Sequence, residues 1–310
     1  MGWTTVRHHP QNGCEFGVTI RRRSANFSVI ILTRNSARTL KKCLDSVVAN
    51  NPSEIIAVDA RSTDDTIKIL RSYDATILID IVGSMGFSRQ LGVEAARFEY
   101  VVFVDSDAVL TPHCIDIMIG DLELNGWVGC QASDRSAEDI SYWQKAYQNN
   151  EFYNPGSVKV IATRASVFKR EILLNHPFDP NMRESQENVE LCIRLIKNGY
   201  TLGLSDAIAY HYHRKEFAAF VKQRIGYGVG TVRLARKHHD RKYLASPLIM
   251  PFSLTIRSLP TPSNIRWLPY WVVDGLARFA GILIGFQKTK KPEPTNSRTR
   301  ESFTASSYAK

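Results

Sequence analysis

Between residues 27 and 110 the chain switches four times between a short, β-branched apolar run and a segment of helical period, and few folds accommodate that alternation. Phe27 to Thr33 (FSVIILT) is almost unbrokenly apolar, the pattern of a strand covered on both faces. From Ser36 to Ala49 apolar residues recur at Leu40, Cys43, Leu44, Val47 and Val48, which is one face of a helix, and Asn50-Asn51-Pro52 stops it. Glu54 to Val58 reads as a second strand. Ser62-Thr63-Asp64-Asp65 then offers capping side chains to a helix over Thr66 to Arg71. Ala75 to Ile81 is a third strand, Gly86 to Arg97 a helix, and Tyr100 to Val104 a fourth strand running into Asp105-Ser106-Asp107. This alternation predicts an α/β fold, a Rossmann-like and mostly parallel sheet flanked by helices. Ligands of such sheets bind outside the carboxyl ends of the strands.

The rest of the chain is less regular. Val158 to Thr163 and Ala207 to His213 read as strands, and Asn188 to Lys197 as a helix ended by Asn198-Gly199. Phe217 to Lys237 is a basic helix. Residues 244–286 are apolar but interrupted by five prolines. The expected organisation is a polar N-terminal tail (1–26), an α/β domain (27–213), a basic then apolar helical extension (214–286) and a disordered polar tail (287–310).

Charge follows the same division. The chain carries 40 Lys and Arg against 30 Asp and Glu, a formal +10. Residues 27–213 are nonetheless acidic, with 18 basic and 24 acidic side chains, whereas residues 214–243 hold nine basic and two acidic ones. A basic, aromatic-containing end on an acidic body points to an anionic surface as partner, although a solvated basic helix has the same composition. The acidic body and the lack of a recognition motif argue against nucleic acid. The five cysteines lie far apart with no CxxC, so buried free thiols in a reducing compartment are expected. Residues 1–26 lack the apolar segment of a signal peptide. Leu268 to Phe286 is interrupted by Asp274 and Arg278, which disfavours a membrane span. A helix lying in the membrane interface would keep those charges wet while burying Trp271, Phe279, Ile282 and Leu283. A helical subdomain packed on the sheet, or an oligomer interface, is the other reading.

Asp59, Asp105 and Asp107 carry the chemistry. Each stands just after the carboxyl end of an expected strand, so the three acids share one rim of the sheet. Carboxylates are hard oxygen donors suited to Mg²⁺ or Mn²⁺. A divalent ion held there can bridge a diphosphate and neutralise charge as a bond to it breaks.

The runs SVIILTRNSARTLKKCLDSV, EIIAVDARSTDDT and MGFSRQLGVEAARFEYVVFVDSDAVL, in this order and spacing, resemble a family 2 glycosyltransferase of GT-A fold. A weaker resemblance continues through VIATRASVF and FDPNMRESQENVELCIRLIKNGY to about His213, which makes 27–213 the glycosyltransferase domain. The resemblance implies a nucleotide pocket lined by Thr33 and Asn35, with Asp59 contacting the base, Arg89 near the nucleotide, and Asp105 and Asp107 as the DxD pair. The second acid of that pair is the usual metal ligand, while the first tends toward the ribose or metal-bound water, and both are taken as candidate metal residues. It also implies inversion by direct in-line attack. The sequence departs from the family at Ala60, at Arg61, where glycine is common, and at Gln90.

The family places its catalytic base in a Glu-Asp motif at the start of a helix. Here Gln186-Glu187-Asn188-Val189-Glu190 puts an amide at the usual Asp position, so Glu187 becomes the candidate base. Glu190 and Arg194 are spaced as a helical ion pair. An ionised lipid-phosphate acceptor needs no base, which explains Asn188 equally well. His211 and His213 fall on one face of their strand. Other GT-A enzymes complete the metal site with a histidine after this region, and His213 is taken as that ligand, an unliganded pair packed beside Tyr210 and Tyr212 being the alternative. Lys222, Arg224 and Arg233 are left unsorted between donor phosphate and lipid head groups. The expected function is transfer of a sugar from a nucleotide-diphospho-sugar, with Mg²⁺ or Mn²⁺, to a hydroxyl of a glycan or lipid-linked acceptor or to a lipid phosphate. The expected location is the cytoplasmic face of a membrane, with peripheral attachment. The alternative is a non-catalytic nucleotide-sugar-binding module.

Overall fold

The computed structural model of the protein describes residues 3–7, 17–21, 25–137, 141–150, 155–212, 216–245 and 262–288. Near the N-terminus, in the stretch expected as a polar tail, β1 (Trp3–Arg7) and β2 (Gly17–Arg21) pair antiparallel as a separate two-stranded sheet. The four apolar runs form β3 (Phe27–Thr33), β4 (Glu54–Asp59), β5 (Thr76–Ile79) and β6 (Tyr100–Asp105). They lie side by side in the order β5-β4-β3-β6, all parallel. Between them run α1 (Ala37–Val48), α2 (Thr66–Arg71) and α3 (Met85–Ala95). The alternation thus produces the parallel half of the sheet.

The other half is mixed. After β6 the chain reverses into β7 (Ala108–Leu110), then α4 (Cys114–Asn125), β8 (Gly129–Ser136) and α5 (Tyr142–Asn150). β9 (Gly156–Val158), β10 (Ala165–Lys169), α6 (Arg170–Asn175), α7 (Glu187–Lys197) and β11 (Leu202–His211) follow. The sheet continues β6-β10-β8-β11-β7, with β9 on β11. Helices cover both faces. Leu40, Leu44, Ile115 and Met118 of α1 and α4 fill one core layer, and Val93, Leu173 and Leu191 of α3, α6 and α7 fill the other. The strand expected over Val158 to Thr163 is not continuous. Gln131 takes the Ala162 amide through its side chain, and regular pairing resumes at β10, which is antiparallel to β6.

Among its described residues the extension holds two long helices, α8 (Phe217–Lys237) and α9 (Leu268–Lys288), the second led by a 3-10 turn over Pro262–Trp267. They meet through glycines. A methyl group added at Gly228 would lie 2.1 Å from the Arg278 carbonyl oxygen, and one at Gly281 would lie 2.1 Å from that of Ile225. An ion pair crosses the same contact. Arg224 Nε stands 2.9 Å from Asp274 Oδ1, and Arg224 also donates to the Tyr270 hydroxyl at 3.0 Å. Both charges are about 3% exposed. The expectation of a helix with Asp274 kept wet is therefore corrected: its carboxylate is buried between Arg224 and Arg278. Of the four side chains expected in the membrane, Trp271 and Ile282 face protein, while Phe279 and Leu283 face out. The polar tail beyond residue 288 lies outside the described residues.

Breaking a buried ion pair from one side leaves the partner charged and desolvated, at a cost of about 3 kcal/mol or more. Asp274→Ala is therefore expected to lower the urea midpoint sharply, and Asp274→Leu combined with Arg224→Met to recover most of the loss. Equal midpoints for Asp274→Ala and the parent would contradict this.

Candidate active site

The carboxyl ends of β4, β3 and β6 lie next to one another, because Thr33 pairs with Asp59 and Leu32 with Asp105 in the parallel registers. Asp59 is 1% exposed and turns into its own loop. Its carboxylate accepts from the Thr33 hydroxyl at 2.8 Å, the Ser62 amide at 2.7 Å and the Ser62 hydroxyl at 2.5 Å. Asn35 is exposed, with φ of +50°, and bridges to the same loop: its amide donates to Ser62 Oγ and its side-chain oxygen accepts from the Thr63 amide, both at 2.8 Å. The side chain of Asp64, not that of the N-cap residue Asp65, accepts from the Thr66 amide at the start of α2 at 3.1 Å and from the Ala37 amide of α1. These contacts lock the loop after β4 against the loop after β3.

Asp105 and Asp107 flank the reversal from β6 to β7. β7 pairs with β11 so that Ala108 stands opposite His211, which delivers the imidazole to the acid pair. Oxygen atoms of both acids and a ring nitrogen of His211 all lie within 4.8 Å of one another. His211 Nε2 is 3.0 Å from Asp107 Oδ1. Burial alone would lower the His211 pKa, but the hydrogen bond and charge of Asp107 outweigh it, and the net shift is upward. Burial is also the main cause of an upward shift at Asp105, opposed by Arg89 and reinforced by the negative Asp107. Two carboxylates and one imidazole, partly open and held by backbone, form a donor set that fits Mg²⁺ or Mn²⁺. The imidazole at this cluster is His211; His213 lies outside the described residues.

Arg89, 2% exposed, joins this cluster to α7. Its Nε donates to Glu187 Oε1 at 3.1 Å, and its Nη2 lies 3.8 Å from Asp105 Oδ1. Its guanidinium also lies over the Phe103 ring. Glu187 is the first residue of α7 and 4% exposed. Asn188 donates its side-chain amide to the Ile161 carbonyl at 2.9 Å, a structural contact. Glu190, fully buried, pairs with Arg194 as its spacing predicts.

The sequence model for glycosyl transferase family 2 matches residues 28–175, the stretch that holds Asp59, Arg89, Asp105 and Asp107. The chain carries a family 2 glycosyltransferase domain. The poly(ribitol-phosphate) beta-glucosyltransferase of Bacillus spizizenii is 35% identical over 91 residues, which span 26% of this chain but only 14% of that enzyme. The glycosyltransferase AglE of Haloferax volcanii is 23% identical over 263 residues, 76% of this chain and 82% of its own. The crystal structure of Staphylococcus aureus TarS 1-349 superposes with a TM-score of 0.52 at 16% identity, over 85% of this chain and 92% of that one, a likeness of fold. These comparisons give the chain a GT-A scaffold, and it spans only a small part of the length of the Bacillus enzyme.

The family's frequent glycine at position 61 has a visible reason. Arg61 sits at φ +58°, in the left-handed region where glycine carries no steric penalty. Two polar residues escaped the sequence reading. Arg164, just before β10, accepts the Asp105 amide on its carbonyl at 2.8 Å, and its guanidinium pairs with Asp134 of β8 at 3.0 Å. Asp134, 8% exposed, and Arg164 line a small cavity beside Ala108 and Ala209. A basic residue entering a strand is an ambiguous signal in sequence, and its acidic partner lies on a distant strand.

Because Asp59 serves its own loop, Asp59→Ala leaves three donors unpaired and should cost about 2 kcal/mol of stability without any nucleotide present. Urea unfolding of the free protein checks this, and an unchanged midpoint would contradict it.

Proposed function

We propose that this glycosyltransferase moves a sugar from a nucleoside-diphosphate-sugar to an acceptor hydroxyl with inversion, and that it works on a membrane surface. The observation that carries the reading is the cluster of Asp105, Asp107 and His211 at the carboxyl edge of the sheet. In this reading Asp105, Asp107 and His211 hold a divalent cation, which when bound supplies positive charge to the donor diphosphate. Thr33, Asn35 and the Asp59 loop shape the nucleotide pocket. The acceptor oxygen attacks the anomeric carbon from the side opposite the diphosphate. The new C–O bond forms as the old one breaks, the nucleoside diphosphate leaves, and the acceptor proton passes to Glu187. Arg89 orients that carboxylate by its 3.1 Å hydrogen bond, so the base and the acid pair share one cationic brace. A lipid-phosphate acceptor, already ionised, would leave Glu187 as an orienting group only.

The membrane part rests on α9. Leu268, Val272, Leu276, Phe279, Leu283 and Phe286 recur at helical spacing and are 37–64% exposed. The helix Ile265–Lys288 is also long and apolar enough to cross a membrane by length and composition. Because α9 buries Asp274 against α8, an interfacial position with the outward stripe in lipid fits better than a span. The basic segments around it favour an anionic leaflet, such as the cytoplasmic face of a membrane.

Asp107→Ala should lower turnover by about 100-fold or more and remove the Mn²⁺-dependent thermal shift given by nucleoside diphosphates, with unchanged far-ultraviolet circular dichroism. Retention of either property would refute the metal assignment. Leu276→Glu with Leu283→Glu should abolish co-sedimentation with phosphatidylglycerol vesicles. Binding equal to the parent would remove the membrane from the account.

A further inference from the structure

The segment from Asp179 to Gln186, which delivers Glu187 to the site, is gripped from two sides. On one side stands the first turn of α3. The Met85 and Gly86 amides donate to the Arg183 and Met182 carbonyls at 3.2 Å, and the Ser84 hydroxyl donates to the Pro180 carbonyl at 2.6 Å. A methyl group at Gly86 would lie 2.0 Å from the Asp179 carbonyl oxygen, so this approach is backbone against backbone. On the other side stands α8. Ser185 Oγ donates to the Gly226 carbonyl at 3.0 Å, and a methyl group at Gly230 would lie 2.4 Å from Ser185 Oγ and 3.0 Å from Gln186 Cγ. Arg233 donates to the Asn181 carbonyl at 3.2 Å and pairs with Glu184 at 3.1 Å. Lys237 reaches Asp179 at 2.5 Å and the buried Glu190 at 2.9 Å. His238 adds a nitrogen 3.6 Å from Glu190. Three turns of α8 therefore contact both the loop before Glu187 and the helix after it.

The geometry points to Arg233 and Lys237 as positioning residues for Glu187. Neither is needed to hold the α7 helix itself, because Glu190 keeps Arg194 at 2.8 Å. What they fix is where the helix begins. Gln186, at φ +70°, sits in the left-handed region with no side-chain cap, a conformation that a non-glycine residue keeps only when its surroundings impose it. α8 supplies that constraint, through direct contact with residues 185 and 186 and through salt bridges at 179, 184 and 190. The basic charge of α8, read from sequence as a candidate for phosphate or lipid contact, is at these two positions spent on the acidic loop of its own chain. Small displacements of a reacting group cost up to about 100-fold in rate, so a constraint of this kind acts on turnover more than on donor binding.

This inference rests on the reading of Glu187 as the base, and a double-mutant cycle separates the two. Turnover is followed as nucleoside-diphosphate release from a panel of UDP-, GDP- and dTDP-sugars with Mn²⁺, and donor-site affinity by titration with the matching nucleoside diphosphate. Lys237→Met and Arg233→Met should each lower kcat about 10-fold with nucleotide affinity within about twofold of the parent. Lys237→Arg should restore kcat to within about threefold. In a Glu187→Gln background the same two substitutions should cost less than about twofold, because the group they position is gone. Equal losses in both backgrounds, or no loss in the parent, overturn the positioning role and leave the base intact. A parental kcat in Glu187→Gln alone instead overturns the base, and with it any action of Arg233 and Lys237 through it. Loss of nucleotide affinity in parallel with kcat marks general damage to the fold and also overturns the proposal. Arg233→Met keeps the test open should Lys237→Met fail to fold.

Discussion

The structure depends on holding two carboxylates and an imidazole together where a sheet reverses direction. At a separation of up to 4.8 Å two negative charges repel by about 3 kcal/mol at the effective dielectric of a protein surface. The chain sets that repulsion against covalent and backbone constraint. Asp105 ends the central strand β6, Asp107 follows one residue after the turn begins, and β7 pairs with β11 so that His211 arrives opposite. The Tyr212 amide closes on the Asp107 carbonyl at 2.8 Å. Burial raises the pKa of Asp105, with Arg89 opposing the shift and the negative Asp107 adding to it. Asp105, Asp107 and His211 would hold a divalent cation, whose positive charge would offset that repulsion.

The surroundings of the cluster follow from that arrangement. Arg89 is buried, where an unpaired cation would be costly, and its two acidic neighbours come from different elements, Asp105 from the sheet and Glu187 from α7. One guanidinium thereby fixes the distance between the rim of the sheet and the head of the helix. Arg164, partly exposed, and the buried Asp134 form a second brace between β8 and the start of β10. Farther out, Arg224 and Asp274 repeat the device between α8 and α9.

Much of this was legible in the chain because its parallel half obeys local rules. β3, β4 and β6 are β-branched runs, and buried parallel strands require that composition, so the acids at the ends of β4 and β6 fall on one rim. The mixed half was harder. β8 (GCQASDRS) has little apolar content, and it is a strand because β10 and β11 pair with it from both sides. His211 and His213 share a face by spacing, and only the β7–β11 register brings one of them to the acids. Asp274 reads as a wet interfacial charge until Arg224, 50 residues earlier, is seen against it. Asp59 reads as a ligand-facing acid, yet its carboxylate serves the hydroxyls and amide of its own loops. Apart from Ser62 beside Asp59, the deciding partners are remote in sequence, and residue type alone does not encode them.

The most direct test is anomalous diffraction from crystals grown with Mn²⁺ and the nucleoside diphosphate that gives the largest Mn²⁺-dependent thermal shift. A manganese peak at about 2.1 Å from carboxylate oxygens of Asp105 and Asp107, with the His211 ring nitrogen and diphosphate oxygens completing its shell, is the predicted result. Nucleotide bound with no manganese at this cluster, or a manganese held by other side chains, would contradict the account.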